Sequence, residues 1–388
     1  MTVLGIDVLL DADAPWPRGA RLGLLCNHAS LNGALVHSRL LLHKRFGADL
    51  RCLLSPQHGF FAEKQDNMIE SDHAVDAATG LPVFSLYGET RRPTPQMLDY
   101  FDILLIDLPD VGTRVYTFLY TMGYCLEAAA RAGKKVVVLD RPNPIGGTAL
   151  EGNILQEEMT SFVGLYPLPM RHGLTFGELA RYINGEYGLG VDLQVVAMRG
   201  WQREMYFADT ALPWVFPSPN MPSPQTALVY PGQVIWEGTN VSEGRGTTLP
   251  FELFGAPYWR TDELLEKLRT IDLPGCLLRP LVFSPTSGKW AGENCYGFQL
   301  HVTERRHFLP YRTALALLQA ARLLYPESFA YKEPPYEYEY EKLPLDLILG
   351  DRSVRTRLEA GEPVVEIERS WQPQLAAFAK LRQSYLLY

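Results

Sequence analysis

The chain has 388 residues, longer than one typical core, and this length favours two domains. Its 47% apolar and 21% charged residues are ordinary for a globular enzyme, and its net charge of -8 argues against a nucleic-acid partner, because phosphate binding needs a basic surface. The five cysteines are odd in number and form no CxxC pair, which argues against a disulfide framework or a structural zinc site and favours reduced, buried thiols.

The N-terminal sequence, MTVLGIDVLLDADAPW, lacks the basic segment, long apolar stretch and small-residue cleavage site of a signal peptide. No segment approaches the roughly 20 apolar residues of a membrane span. We therefore predict a cytoplasmic protein with no membrane partner. A chain from which a signal peptide had been removed would look the same.

Short apolar runs alternate with helical patterns through the first half of the chain. Strands are predicted at Arg21–Cys26, Asp49–Leu54, Pro82–Leu86, Asp102–Leu108, Lys135–Leu139 and Leu193–Ala197. Helices are predicted at Leu35–Phe46, Thr94–Tyr100, Tyr116–Ala132 and Thr175–Tyr187. Continuous apolar strands are typical of a parallel sheet covered on both faces. The alternation therefore predicts an α/β fold, a Rossmann-like parallel sheet with helices on both faces and right-handed crossovers.

The second half of the chain has a different pattern. Residues 201–259 are rich in Pro, Gly, Asn and aromatic residues, which favours a long, ordered, functional loop region. An α+β pattern follows, with helices at Asp262–Thr270, Tyr311–Leu324 and Leu375–Tyr385, strands at Leu278–Phe283 and Gly297–Val302, and an alternating EYEYE run at Glu337–Glu341. We predict a Rossmann-like domain over residues 1–200 and a smaller α+β domain over residues 201–388 that completes an active-site cleft.

Polar residues follow four of the predicted strands. Open sheets of this class bind ligands beyond the carboxyl ends of their strands, so these residues are expected to converge. They are Asn27-His28, Ser55 to Gly59, Asp107 to Gly112, and Asp140 to Pro144. The chain has no GxGxxG after its first strand, no GxxxxGK[ST] and no GxSxG, which removes the main support for dinucleotide, P-loop or serine-hydrolase chemistry.

The strand-end residues each allow two interpretations. Asp107 and Asp110 could perform acid–base work or orient a sugar hydroxyl, or they could accept hydrogen bonds from the backbone and cap a helix. Asp140 and Arg141 lie in a rigid, proline-flanked loop and could also form a local ion pair. His58 could move a proton or bind a ligand, as could His172 and His28, but their spacing has no metal-binding signature, and we predict no metal site.

The densest polar cluster of the chain is Glu237–Thr248, EGTNVSEGRGTT. Its glycines allow the backbone to approach a ligand closely. Acidic, amide, guanidinium and hydroxyl groups together suit a polyhydroxylated ligand, although a turn that satisfies its own hydrogen bonds is the alternative. We favour the ligand-binding interpretation, because loops with this chemistry commonly carry function.

At these residues the sequence resembles the NamZ-type exo-β-N-acetylmuramidases, which hydrolyse peptidoglycan fragments. The resemblance runs in order along nearly the whole chain. It rests on PQHGF (56–60), SLYG (85–88), DVGTRVYT (110–117), DRPNP (140–144), LEGNIL (150–155), HGLTFGELA (172–180), SPNMP (218–222), ALVYPG (227–232), EGTNVSEGRGTTLPFELFGAP (237–257), FSPTSGKWAGENCYGFQLHVT (283–303) and WQPQLAAF (371–378).

The resemblance implies release of a terminal N-acetylmuramic acid from an amino-sugar or muropeptide substrate, without a metal or organic cofactor. Catalytic candidates are the acids Glu63, Glu237, Glu243, Asp107 and Asp110. Two of them could flank the bond, one of them protonated, or the acetamido group of the sugar could attack while a carboxylate orients it, and the sequence does not choose between these routes. Arg141 and Arg245 suit the lactyl carboxylate of muramic acid, because guanidinium pairs with carboxylate bidentately. The substrate-binding candidates are Asn27, Gln57, His58, Arg114, Tyr116, Asp140, Arg141, Asn143, His172, Asn220, Asn240, Ser242 and Arg245.

One departure from the family concerns Gln57, where the family usually has Glu. A glutamine cannot donate a proton as a catalytic acid. Either a neighbour such as Glu63 or Glu70 supplies the acid, or the essential carboxylate lies elsewhere, or this member does not hydrolyse the usual substrate. A non-catalytic amino-sugar-binding protein is therefore the second hypothesis, and a nucleotide-sugar or NAD enzyme is a weaker third.

Overall fold

The computed structural model describes residues 1–64 and 68–388. Within these residues the strands, in chain order, are β1 (Leu22–Cys26), β2 (Leu50–Ser55), β3 (Ala74–Val75), β4 (Pro82–Ser85), β5 (Ile103–Asp107), β6 (Lys135–Leu139), β7 (Glu151–Ile154), β8 (Pro169–Arg171), β9 (Asp192–Val196), β10 (Leu253–Ala256), β11 (Cys276–Phe283) and β12 (Cys295–Val302). The helices are α1 (Gly5–Asp11), α2 (Ser38–Phe46), α3 (Pro95–Leu98), α4 (Phe118–Arg131), α5 (Phe176–Glu186), α6 (Pro224–Gln233), α7 (Thr261–Leu268), α8 (Pro310–Leu324), α9 (Pro344–Leu349), α10 (Arg352–Glu359) and α11 (Val364–Leu381).

Seven strands form the central sheet, in the order β3-β4-β2-β1-β5-β6-β9. Every neighbouring pair is parallel except β3 with β4. Alternate residues of each strand enter different cores: Leu24 packs with Leu105 and Val137, whereas Leu25 packs in the large core with Ile106. Because both faces are covered, β1 and β5 are buried along their whole length. The predicted Rossmann-like α/β class is confirmed.

The second sheet is antiparallel, in the order β10-β12-β11, and α7 and α8 lie beside it in the large core. A long loop was predicted over residues 201–259, and that prediction is wrong in part. Helix α6 begins after Ser223, whose hydroxyl accepts the Thr226 backbone N–H, and Pro224 occupies its first turn. Ser followed by Pro is a helix-start signal that the Pro-rich composition obscured.

The C-terminal helix was also predicted too short. Helix α11 begins at Val364 rather than Leu375, and Pro373 lies inside it. Its apolar face, including Ile367, Trp371 and Phe378, is buried in the large core. Tertiary burial of that face outweighs the helix-breaking preference of one proline.

The five cysteines are free thiols, and four of them are buried, as the sequence predicts. In the part of the chain that the structure describes, no helix combines the length and apolar character needed to cross a membrane.

A buried carboxyl in β7 predicts a pH-dependent stability. Glu151 is 5% exposed, its Oε1 accepts the Arg312 backbone N–H, and burial raises its pKa to about 7. An acid whose pKa is raised on folding stabilises the fold below its unfolded value, and this contribution is lost as the pH rises through the folded value. We expect Glu151→Gln to reduce the loss of stability between roughly pH 5 and pH 8 by about 1–3 kcal/mol, as measured by urea denaturation.

Glu157→Gln is the matched control for that comparison, because Glu157 is exposed and lies in the next segment of the chain. It should follow the wild-type pH dependence. Equal pH dependence in the wild type and in Glu151→Gln would contradict the prediction.

Candidate functional site

A confined pocket of about 30 Å³ lies beyond the end of β2. This is room for about two water molecules. Polar groups from distant parts of the chain meet there. The lining residues include Gln57, His58, Tyr116, Thr117, Ser218, Asn220, Tyr230, Glu237, Arg245, Tyr336 and Glu337.

The turn after β2 brings Gln57 and His58 to this pocket. His58 has a φ of 74° and Gly59 a φ of 82°, a left-handed pair that turns the chain sharply. The His58 ring contacts the Lys64 carbonyl oxygen through Nδ1 at 2.9 Å. The structure therefore places both predicted residues in the pocket wall.

Gln57 is the centre of a buried hydrogen-bond network. Its Oε1 accepts the Thr117 hydroxyl, which requires its Nε2 to face the other way. Nε2 donates to Glu337 Oε1 at 3.0 Å and also approaches the Tyr87 hydroxyl at 3.0 Å. The Tyr87 hydroxyl in turn donates to Glu337 Oε2 at 2.7 Å. Both oxygens of the Glu337 carboxyl are thus held in place.

Glu337 is a pocket residue that sequence reasoning did not select, although the EYEYE run contained it. Tyr336 and Glu339 exchange backbone hydrogen bonds, so Glu337 and Tyr338 form a two-residue turn. Their φ values are 45° and 66°, in the region that such turns usually give to Asn and Gly. A bulky pair at these positions costs backbone energy, which is a recurrent feature of functional sites.

Glu237 faces the same pocket and is held as an anion. Arg245 Nη2 donates to its Oε1 at 2.7 Å, and the Tyr336 hydroxyl donates to its Oε2 at 2.7 Å. Burial alone would raise the pKa of this carboxyl, but the Arg245 charge and these hydrogen bonds bring the pKa below its usual value. Glu237 therefore stays ionised near neutral pH.

Glu337 has the opposite electrostatic character. It is 3% exposed, and burial raises the pKa of its carboxyl above the usual value, while the hydrogen bonds from Tyr87 and Gln57 oppose this change only in part. The negative charge of Glu237 adds to the increase. Two carboxyls of one pocket thus differ in their tendency to hold a proton, which is the arrangement that separates acid from base in hydrolytic sites.

A wider cleft of about 660 Å³ adjoins the pocket and shares Glu237, Arg245 and Tyr336 with it. Its wall is charged: Glu243 Oε2 accepts Lys289 Nζ at 2.8 Å and its Oε1 lies 3.4 Å from Arg245 Nε. The other lining residues include Thr239, Asn240, Trp290 and Lys332. The predicted cluster Glu237–Thr248 therefore supplies part of both cavities.

Most of the strand-end candidates satisfy one another instead of lining this pocket. Arg141 donates through Nε and Nη2 to both oxygens of Asp107, and Asp107 also accepts the Ser38 hydroxyl. Asn27 Nδ2 donates to the Pro217 carbonyl oxygen. The local ion pair is the interpretation of Arg141 that these contacts support, with its guanidinium committed to Asp107.

Asp110 and His172 form a second group of candidates that contact each other. Asp110 Oδ2 accepts the Gly112 backbone N–H and lies 3.4 Å from His172 Nε2, while His172 Nδ1 accepts the Leu174 N–H. Asp140 Oδ2 accepts the hydroxyls of Thr175 and Tyr388. None of these candidates lines the confined pocket.

Several other candidates are structural in their contacts. Arg114 binds four backbone carbonyl oxygens, and Asn143 donates to the Leu174 carbonyl. Ser242 Oγ accepts the Gly244 N–H. Glu63 is exposed and accepts the Phe61 N–H, and neither it nor Glu70 lines the pocket or the cleft.

The remaining candidates divide between the two cavities. Tyr116 and Asn220 line the pocket, whereas Asn240 lines the cleft and accepts the Tyr258 hydroxyl at 2.8 Å. Across residues 1–64 and 68–388, no three His, Cys, Asp or Glu side chains come together as they would around a metal ion. The chemistry that these cavities offer is that of carboxyl, guanidinium, amide and hydroxyl groups.

Family models match the chain in two consecutive segments. The N-terminal model of the exo-beta-N-acetylmuramidase NamZ matches residues 22–225, and its C-terminal model matches residues 228–388. Of the lining residues, Gln57 and Thr117 belong to the first segment, and Glu237, Arg245 and Glu337 belong to the second.

The chain is also similar to individual proteins over its full length. It is 45% identical over 384 residues to the peptidoglycan beta-N-acetylmuramidase NamZ of Bacillus subtilis, covering 99% of this chain and 91% of that protein. Two crystal structures of DUF1343 family proteins from Bacteroides fragilis match it at TM-scores of 0.90 and 0.78, with 34% and 28% identity, each covering 100% of this chain and 99% of the other. The chain therefore belongs to the NamZ family of exo-β-N-acetylmuramidases.

Proposed function

We propose that this chain is a glycoside hydrolase that releases N-acetylmuramic acid from the non-reducing end of peptidoglycan fragments. The observation that carries the proposal is the presence of two buried carboxyls, Glu237 and Glu337, in the wall of one confined pocket. Glycoside hydrolysis generally uses such a pair, with one group protonated and the other ionised. The name of the Bacillus subtilis relative specifies the same bond and the same sugar.

Exo action follows from the shape of the two cavities. The confined pocket closes one end of the wider charged cleft, so a terminal sugar would lie at their junction and the rest of the fragment along the cleft. Glu237, Arg245 and Tyr336 lie at the junction between them, where the glycosidic bond would be placed. A substrate with further sugars on the non-reducing side of that muramic acid would not fit, because the confined pocket has no room for them.

The lactyl carboxylate of muramic acid needs a cationic partner, and two arginines were expected to provide it. Arg141 is committed to Asp107, whereas Arg245 lines both cavities. We therefore assign the lactyl group to the neighbourhood of Arg245. Its guanidinium would be shared between that carboxylate, Glu237 and Glu243.

Turnover of 4-nitrophenyl β-N-acetylmuramide tests the proposal, with the corresponding β-N-acetylglucosaminide as the matched substrate without a lactyl group. We expect nitrophenol and free N-acetylmuramic acid from the first substrate and at least about tenfold lower kcat/KM for the second, because a carboxylate–guanidinium contact contributes more than about 1.4 kcal/mol in a partly buried site. Saturable binding of the muramide without product would instead support the non-catalytic sugar-binding alternative.

A further inference from the structure

We propose that Glu337 is the general acid of this enzyme, and that Gln57 and Tyr87 are the residues that position it. This inference rests on the proposed glycosidase function and assigns the proton donor within it. Of the acids selected from the sequence, only Glu237 lines this pocket, and Arg245 and Tyr336 hold it as an anion. Glu63 and Glu70 are exposed, Asp107 and Asp110 are engaged elsewhere, and Glu243 faces only the cleft.

The position of Glu337 meets the geometric requirement for a proton donor. It lines the confined pocket with Glu237, and its side chain is 3% exposed. Its two oxygens are held by the Gln57 amide, which also lines the pocket, and by the Tyr87 hydroxyl, at 3.0 and 2.7 Å. Each carboxyl oxygen has a second lone-pair direction, so a proton can point into the pocket while both contacts persist.

The backbone gives independent support. Glu337 and Tyr338 both have positive φ in a two-residue turn, and the Arg91 guanidinium lies 3.6 Å from the Tyr338 ring centroid. Asn and Gly would form this turn with less strain. A glutamate held in an unfavourable backbone conformation, with its carboxyl buried in a polar pocket, is expected where the side chain has a function that a relaxed turn would not serve.

Gln57 orients Glu337 and cannot be the acid itself. Thr117 donates to Gln57 Oε1, so the amide group is oriented with its N–H toward Glu337. An amide offers no proton for transfer at neutral pH. The Gln57 N–H does fix the direction of the Glu337 carboxyl. Within the cluster of Gln57, Thr117, Tyr87 and Glu337, the proton donor is then Glu337.

The reaction balances with these two groups and water. The Glu337 proton moves to the glycosidic oxygen as the bond to the anomeric carbon breaks, and that bond's electron pair stays with the leaving oxygen, giving a hydroxyl on the released fragment. The Glu237 carboxylate stabilises the positive charge that develops on the sugar. Water then supplies a hydroxyl to the anomeric carbon and a proton that returns to Glu337.

The experiment compares two leaving groups in Glu337→Gln. A sugar leaving group needs protonation, whereas 2,4-dinitrophenolate departs without it. We expect kcat/KM to fall about 10²- to 10⁴-fold for the muramyl disaccharide and less than about tenfold for the dinitrophenyl muramide. Glu339→Gln, two residues away and outside the pocket, should retain wild-type rates on both substrates. An equal loss on both substrates, or no loss on the disaccharide, would overturn the assignment.

A measurement that does not depend on activity keeps the two proposals distinguishable. In a pH titration the wild type should show the infrared C=O band of one protonated carboxyl that Glu337→Gln lacks, and this band should persist above the pH at which an ordinary glutamic acid ionises. If the wild type cleaves no muramide, the proposed function fails. If it cleaves muramides but this band is unchanged in Glu337→Gln, the proton-donor assignment alone fails.

Tyr87→Phe tests positioning, because it removes a hydrogen bond that favours the ionised form of Glu337. The pKa of Glu337 should then rise, and the alkaline limb of the kcat profile should move to higher pH by about 1 unit. A lower rate with an unmoved alkaline limb would indicate that Tyr87 is only structural, and it would contradict its positioning role.

Discussion

Replacing Glu237 by Gln is expected to lower kcat roughly 10²- to 10⁴-fold on sugar and aryl leaving groups alike. The substitution keeps the size of the side chain and its place beside the Tyr336 hydroxyl, but it removes the negative charge that Arg245 and Tyr336 maintain. That charge lies in a buried pocket, where a fixed carboxylate stabilises developing positive charge far better than it would in water. Steady-state kinetics on both classes of substrate measure the effect.

The independence from the leaving group separates Glu237 from Glu337. A group that stabilises the sugar's charge is needed whichever bond breaks, whereas a proton donor is needed only for a poor leaving group. Both carboxyls belong to one pocket, yet the two Gln variants should give different patterns. Identical patterns would contradict the division of roles.

Glu243→Gln is the matched control for Glu237→Gln. Glu243 contacts the same Arg245 and is equally buried, but it lines the cleft and not the confined pocket. Its loss should change kcat less than about tenfold, since only one outer partner of Arg245 is removed. Comparable losses in both variants would show that Glu237 acts by holding Arg245 and not through its own charge.

The central sheet could be predicted from the sequence because its strands are local patterns. Four apolar runs, now β1, β2, β5 and β6, needed no knowledge of distant partners, and because these strands are parallel, the polar residues after them lie at one sheet edge. What those residues do could not be predicted. Asp107 and Arg141 neutralise each other across adjacent strands, and only the register of β5 and β6 brings them together.

Glu337 shows most clearly what could not be predicted from the sequence. Its partner Gln57 is 280 residues away, so no local pattern could relate them. The alternating Glu and Tyr run was visible, but alternation alone predicts a strand and not a strained turn. The cluster Glu237–Thr248 was more informative, because its closely spaced glycines, acids and arginine already indicated a polar loop, and part of it does line both cavities.

Replacing Arg114 by Met is expected to destabilise the protein by about 4 kcal/mol or more. Arg114 was selected from the sequence as a substrate-binding residue, but it is fully buried, and its Nη1 and Nη2 donate to the carbonyl oxygens of Asn153, Leu168, Ile348 and Leu349 at 2.7 to 3.0 Å. Methionine fills a similar volume without donors, and each buried carbonyl left unpaired costs about 1–3 kcal/mol. Urea denaturation monitored by tryptophan fluorescence measures the loss.

Two further variants decide whether the cost arises from this network. Arg260→Met removes a 70% exposed guanidinium and should change stability by less than about 0.5 kcal/mol. Gly350→Ala should destabilise the protein although it leaves Arg114 intact, because Gly350 has a φ of 70° and an added Cβ would lie 2.6 Å from Arg114 Nη2.

Since the four carbonyls belong to β7, the loop before β8 and the end of α9, the arginine joins segments from both halves of the chain. A value for Arg114→Met within about 1 kcal/mol of the wild type would mean that water replaces the guanidinium, and the residue would then be a minor contributor to the fold.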